Sequence, residues 1–257
     1  VYTTDALVLR RQDFSEADRL VTLFTPNYGK VRAVAKGVRR PKSRKAGHLE
    51  PLTRVKVQLA RGRSLDIITQ AEASELYTSL RGDLVTIGHA NYIAELLDRF
   101  TMEREENASV YRLALDTLDR LSGGDPAGVV MRFYQLRLLD LVGFRPELFA
   151  CLSCRNEIQA EEQYFSAAQG GVLCPACGGK EKKARRISLP ALKVLRHYQR
   201  SGYAVASKTV ISPAVGREAD AHLEAYLTYL LERRLNSPAF LRKVDQIERR
   251  GGPVDRE

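Results

Sequence analysis

The spacing of apolar residues changes once along this chain, close to residue 80, and that change constrains the fold more tightly than any composition figure. Before it, apolar side chains recur at every second position; after it, at every third or fourth. Alternation sends successive side chains to opposite faces of a strand, whereas the longer period gathers them on one face of a helix. The sequence therefore predicts strands first and helices after.

Five runs of strand character begin at Asp5, Asp18, Gly29, Thr53 and Ser64. In the fourth, Val55, Val57 and Leu59 alternate with Arg54, Lys56 and Gln58, the pattern of a strand with one face buried. Asn27-Tyr28-Gly29 and Arg61-Gly62-Arg63 mark tight turns. Five short strands with their longest connection after the third fit a closed barrel of the oligonucleotide-binding (OB) type, since a sandwich wants about seven.

Helical spacing follows. Leu84, Ile87, Ile93, Leu96, Leu97 and Phe100 form a stripe behind an Asp83 cap, and Tyr111, Ala114, Leu115, Leu118 and Leu121 form a second that ends at Gly123. A third helix has Asp125 as its cap, Pro126 in its first turn and Gly143 as its stop; it is apolar nearly all round and reads as a buried central helix. Two more helices, Pro190 to Gln199 and Ala214 to Leu235, complete an antiparallel bundle. The expectation is an α+β multidomain chain. It has an OB barrel over 1–80, helices over 81–150, a four-cysteine insert over 151–180 and further helices over 181–257.

All four cysteines lie in that insert: Cys151, Cys154, Cys174 and Cys177 make two Cys-x2-Cys pairs with nineteen residues between them. Two such knuckles bring four thiolates to one point, as tetrahedral zinc requires. Two disulfides or redox-active pairs are the alternatives, and both suit a cytoplasmic chain poorly. Four thiolates leave no open coordination position, so the expected zinc is structural. Gly178 and Gly179 supply the tight turn after the second pair.

The chain carries 41 basic and 31 acidic residues, a net +10. The excess is clustered, for residues 29–45 hold Lys30, Arg32, Lys36, Arg39, Arg40, Lys42, Arg44 and Lys45 and no carboxylate. Clustered positive charge on a folded protein attracts polyanions. The run alternates like a strand and then loops through Gly37, Pro41 and Ser43, unlike a membrane-binding amphipathic helix. Nucleic acid is the favoured ligand, with the backbone on these eight residues; a solvated hairpin is the alternative. Aromatics in the barrel are few, Phe14, Phe24 and Tyr28, which suggests sequence-tolerant binding dominated by phosphates. A second basic cluster, Lys180 to Arg186, reads either as a phosphate contact or as a solvated linker.

No apolar run approaches the roughly 18 residues of a membrane span, and nothing near the start reads as a signal peptide, so a cytoplasmic, nucleoid-associated location is expected. His48, His89, His197 and His222 are scattered one to an element, and neither a catalytic triad nor a phosphate-cradling loop stands out. The chain does not read as an enzyme.

The order of these parts carries a resemblance. A barrel containing "TPNYGKVRAVAKGVRRPKS", then helices with "RLLDLVGFRPELFACLSC" running into the four-cysteine site, resembles the RecO family of bacterial DNA repair proteins over essentially the whole chain. The resemblance implies a recombination mediator that binds single- and double-stranded DNA and anneals complementary strands. It further implies work with RecR, and loading of RecA onto DNA covered by single-strand binding protein. It also implies recognition of that protein's acidic C-terminal tail, for which Arg132 and Arg137 of the central helix are candidates. Leu223, Tyr226, Leu227 and Leu230 of the last helix would line the same groove. A zinc-containing DNA glycosylase/lyase and an RNA-binding zinc protein remain open, since phosphate contacts hardly separate RNA from DNA.

Overall fold

The computed structural model describes residues 1–231. The described chain divides into two compact units, with the boundary between Gly124 and Asp125.

The first unit opens with strands β1 (Tyr2–Asp13), β2 (Arg19–Thr25), β3 (Gly29–Ala35), β4 (Arg54–Ala60) and β5 (Asp66–Glu75). They close into a barrel in the order β1-β2-β3-β5-β4, with β1 also paired to β4. Every pairing is antiparallel except β3 with β5, where Ala33 opposes Asp66 and Val34 opposes Ile67. A five-stranded barrel of this order is of the OB type. Alternation does what it should: Val55, Val57 and Leu59 are fully buried beside Val31, Ala33 and Ala35 in the barrel core.

Two long helices belong to this unit, α1 (Leu84–Phe100) and α2 (Ala108–Ser122). Asp83 caps α1 by accepting the Thr86 N–H, and Asn107 caps α2 by accepting that of Val110. Their apolar stripes bury against each other and against β1 and β2, where Phe24 meets Tyr111 at 6.1 Å between ring centres. Leu84, assigned to the buried stripe, is largely exposed, because the first turn of α1 projects beyond the packed face.

The second unit holds α3 (Ala127–Leu141), β6 (Gln163–Ser166), β7 (Gly171–Leu173), α4 (Pro175–Gly178), β8 (Arg185–Ile187), α5 (Leu189–Arg200), α6 (Tyr203–Ala206) and α7 (Pro213–Leu230). Helices α3, α5 and α7 pack together, and the three strands form a small sheet in the order β7-β6-β8. The five long helices among the described residues therefore split between the units, two with the barrel and three with the cysteine insert. Asp125 does not cap α3. Pro126 holds that position, and the Asp125 carboxylate instead accepts the Tyr203 hydroxyl at 2.6 Å. The last helix is seen to Leu230; the expected remainder up to Leu235 extends beyond the described residues.

Candidate nucleic-acid interface and metal centre

The basic run splits into two environments, and strand geometry decides which residue goes where. On β3, Val31, Ala33 and Ala35 point into the barrel, so Lys30 and Arg32 point outward onto the face that α1 and the segment after it cover. Lys30 Nζ lies 3.2 Å from the Asp98 carboxylate and donates to the Asp98 carbonyl at 2.6 Å. Arg32 sits 3.9 Å from Glu103. Lys30 is thereby committed within the fold, whereas Arg32 keeps a loose, partly exposed contact.

Past β3 the chain turns at Gly37, whose φ of +66° is a left-handed conformation that glycine adopts without strain. Asp18 fixes this turn by accepting the Gly37 N–H, and the Arg39 N–H donates to the Ala17 carbonyl at 3.0 Å. The Gly37 hydrogen bond is the main reason that the Asp18 carboxyl is held below its ordinary range, with Lys36 and Arg40 adding to the effect. The Arg39 side chain leans back onto the Ser15 carbonyl and Asp13. Lys45 donates to the Ile68 carbonyl at 3.1 Å and so ties the far end of the loop to β5.

Lys36, Arg40, Lys42 and Arg44, together with Lys45, line a concavity of about 510 Å³. None of the ion pairs among the described residues uses the first four. His48 and the exposed Thr69 and Gln70 of β5 complete the wall. His48 lies in the short 3-10 turn directly after the basic run, whereas Thr69 and Gln70 carry no sequence signal, because only the parallel pairing of β3 with β5 brings them to the loop. His48 Nδ1 accepts the Ala73 N–H at 3.0 Å, which leaves Nε2 as the donor of the neutral ring. Phe24, one of the three barrel aromatics, is core, and Tyr28 packs against Tyr2 with tilted rings 4.5 Å between centres. Phe14 is exposed.

The cysteines converge. Their four sulfurs all lie within 4.8 Å of one another, with Cys154 and Cys174 at 3.8 Å. A regular tetrahedron of sulfurs about 2.3 Å from a zinc ion has edges of about 3.8 Å, so the set fits one ion. Burial pushes the Cys151 thiol up, but N–H groups of Cys154, Cys174 and Ser153 outweigh it and bring it down to about 6. Cys174 goes the other way, up to about 11: the Cys177 N–H favours its thiolate, but burial and the three neighbouring sulfurs prevail. Four crowded sulfurs of this kind need a cation to be thiolates together. Gly178 is required for a close approach, since a Cβ there would lie 2.4 Å from the Tyr164 side chain. The small sheet of β6, β7 and β8 has no signature in the sequence, because strands of three or four residues are too short to display alternation.

Arg132 and Arg137 both lie on α3 but in different settings. Arg132 is buried, 3.5 Å from the Asp220 carboxylate, with its guanidinium over the Tyr198 ring and close to Gly128 and Gly216. Asp220 is itself raised to about 6, chiefly by burial, against the lowering influence of Arg132. Arg137 donates to the Ser201 carbonyl at 2.8 Å and lies 3.7 Å from Asp140. Leu223, Tyr226 and Leu227 are buried, while Leu230 is partly exposed.

These parts define a class: an OB barrel with a basic concavity, joined to a helical unit that carries a four-cysteine metal-type centre. The family model described as "Recombination protein O N terminal" matches residues 1–77, and "Recombination protein O C terminal" matches residues 81–239. The chain is 42% identical to the DNA repair protein RecO of Roseiflexus sp. (strain RS-1), over 99% of this chain and 89% of that protein. It is 37% identical to the protein of the same name from Symbiobacterium thermophilum, over 94% and 96% of the two chains. With that of Pelotomaculum thermopropionicum it shares 36% identity over 99% of each.

The chain belongs to the RecO family of DNA repair and recombination proteins. These names are those of DNA repair and recombination proteins and indicate no enzyme family, and the glycosylase alternative gives way to them. No described helix is long and apolar enough to cross a membrane.

Proposed function

We propose that this chain is a recombination mediator that binds the backbone of single- and double-stranded DNA in the basic concavity of its barrel and anneals complementary strands. In the same reading it works with RecR and helps load RecA onto DNA covered by single-strand binding protein, in the bacterial cytoplasm. The observation that carries the proposal is the convergence of Lys36, Arg40, Lys42 and Arg44 on one cavity, with none of the four in an ion pair among the described residues. Such cations neutralise phosphates whatever the base sequence, and annealing asks for little more than that neutralisation and alignment of two strands.

The ion at the cysteine centre is zinc in this reading, and its role is structural, for four sulfurs close its coordination shell. Recognition of the tail of single-strand binding protein is assigned to the helices of the second unit. A terminal carboxylate reaching Arg132 would have to displace Asp220. One reaching Arg137 would compete with Asp140 and the Ser201 carbonyl. Arg137→Ala is expected to weaken a labelled tail peptide and leave naked DNA binding unchanged; unchanged peptide affinity would remove Arg137 from the site.

The test of the main proposal is annealing of complementary fluorescent oligonucleotides by the full chain, with nucleotide and magnesium omitted. Annealing should proceed without nicks or base release, and Lys36→Glu/Arg40→Glu/Lys42→Glu should abolish it. A nucleotide requirement, strand cleavage or an unimpaired triple variant would overturn the reading.

A further inference from the structure

The segment Lys180 to Arg186 places five basic residues in seven, and the function proposed above uses none of them. Its acid, Glu181, is engaged locally, receiving the Lys183 N–H and the Gln169 side-chain amide. Arg186 is also engaged, with its guanidinium over the Tyr164 ring and Nε directed to the Tyr164 hydroxyl. Lys182, Lys183 and Arg185 are exposed, and no ion pair among the described residues uses them.

These three cations stand along one side of a cavity of about 700 Å³ within the second unit, between the small three-stranded sheet and α7. Phe165 of β6 is a buried ring at its wall, and Tyr229 of α7 is half exposed beside it. Glu224 is the one carboxylate in the lining, against three cations. His222 is also in the lining, with its pKa lowered chiefly by burial.

We infer that this cavity is a second site for a nucleic-acid strand, with Tyr229 offering its ring to a base and Lys182, Lys183 and Arg185 meeting the flanking phosphates. An accessible aromatic next to several uncommitted cations is the composition of a single-strand site, where stacking and phosphate neutralisation act together. The alternative ligand, an acidic peptide with apolar side chains, wants a pocket walled by branched aliphatic residues. This lining holds no leucine, isoleucine or valine; its small residues are alanines, which leave room for a planar group beside Tyr229.

The inference rests on the annealing proposal and deepens it, because one chain that aligns two strands must hold both. The barrel concavity takes one backbone, and this cavity takes the other.

The experiment uses the full chain in two backgrounds, native and Lys36→Glu/Arg40→Glu/Lys42→Glu, each with and without Lys182→Gln/Lys183→Gln/Arg185→Gln. The probe is a labelled dT oligomer titrated at several salt concentrations, and metal content and circular dichroism confirm the fold. In the barrel-disabled background, residual binding should persist with a salt slope that falls by about 2 when the three glutamines are added, at about 0.7 per lost phosphate contact. In the native background the same three changes should leave first-strand affinity within about twofold and slow annealing about tenfold, the loss of roughly 1.4 kcal/mol of second-strand binding. Tyr229→Ala should reproduce the annealing loss with the salt slope unchanged.

Residual binding with an unaltered slope, or annealing at the native rate in the glutamine variant, would overturn the second site and leave the barrel site standing. Loss of binding to a labelled acidic peptide with oligomer binding intact would also overturn it, in favour of a protein ligand. A native chain that binds the oligomer and anneals nothing would overturn the annealing reading itself, whatever the slope at the second cavity.

Discussion

Asp18, in the turn between β1 and β2, accepts a hydrogen bond from the backbone N–H of Gly37 at 2.8 Å, and so a carboxylate outside the basic loop sets the direction in which that loop leaves the barrel. Gly37 has a left-handed backbone, and Lys36 and Arg40 flank it. Gly37→Ala should cost about 1–2 kcal/mol of local strain and turn the cations away from the concavity. Asp18→Ala should do the same by removing the acceptor, whereas Asp18→Asn keeps a carbonyl oxygen there and should largely rescue it. Oligonucleotide affinity, measured beside thermal unfolding, checks this: affinity falls while the barrel melts within a few degrees of the native chain.

A second carboxylate anchors the barrel from inside. Asp66 is fully buried and receives the Tyr2 hydroxyl, the Arg104 guanidinium at 2.9 Å and the Gly62 N–H. Burial works against its ionisation, but those hydrogen bonds outweigh it and hold the carboxyl below its ordinary value of 3.8. A depressed carboxylate stabilises the fold fully above its unfolded pKa, and that stabilisation disappears as pH falls through the lower folded value. Asp66→Asn should therefore cost about 1–3 kcal/mol at neutral pH, a difference that stays flat down to about pH 5 and narrows below about pH 4. Denaturant unfolding of the two proteins across that range is the measurement.

Lys30 separates structural from ligand-facing charge. Its side chain is only 13% exposed, and its ammonium is held by Asp98 on α1. Lys30→Ala should lower the stability of the first unit by about 1–2 kcal/mol, as the loss of a charged hydrogen bond does, and leave the salt dependence of DNA binding unchanged. A variant of native stability with a reduced salt slope would reverse that assignment.

The metal centre predicts a separable defect. Freshly purified protein that has never met a chelator should contain one zinc per chain by elemental analysis. Cys174→Ser should lose it and loosen residues 151–177, because binding of the ion is part of the folding free energy of such a segment. Oligonucleotide binding by the barrel should survive. Native protein without metal would contradict the four-sulfur site.

Much of this architecture was legible in residue spacing. The β4 alternation of Val55, Val57 and Leu59 survives into the barrel core, and Asp83 caps α1 as its position before the apolar stripe implies. The cysteine spacing picked out the four sulfurs that the fold brings within 4.8 Å of one another. What sequence could not show was partnership across the fold. Lys30 and Lys36 look alike in a basic run, but β3 turns the first toward Asp98 and the loop carries the second to the cavity. Arg132 looked like a cation at the mouth of a groove, whereas α3 buries it beside Asp220. The sheet of the cysteine insert, in strands as short as Arg185–Ile187, left no periodic trace at all.

The central claim is that the barrel concavity holds a DNA backbone through Lys36, Arg40, Lys42 and Arg44. The most direct measurement is the affinity of the full chain for a dT oligomer as a function of salt, for the native protein and for the variant in which all four are alanine. Each phosphate contact on a single strand contributes about 0.7 to the slope of log affinity against log salt, so the variant should lose about 3 from that slope and bind every sequence more weakly. A quadruple variant with the native slope and affinity would contradict the account and return the loop to a solvated surface.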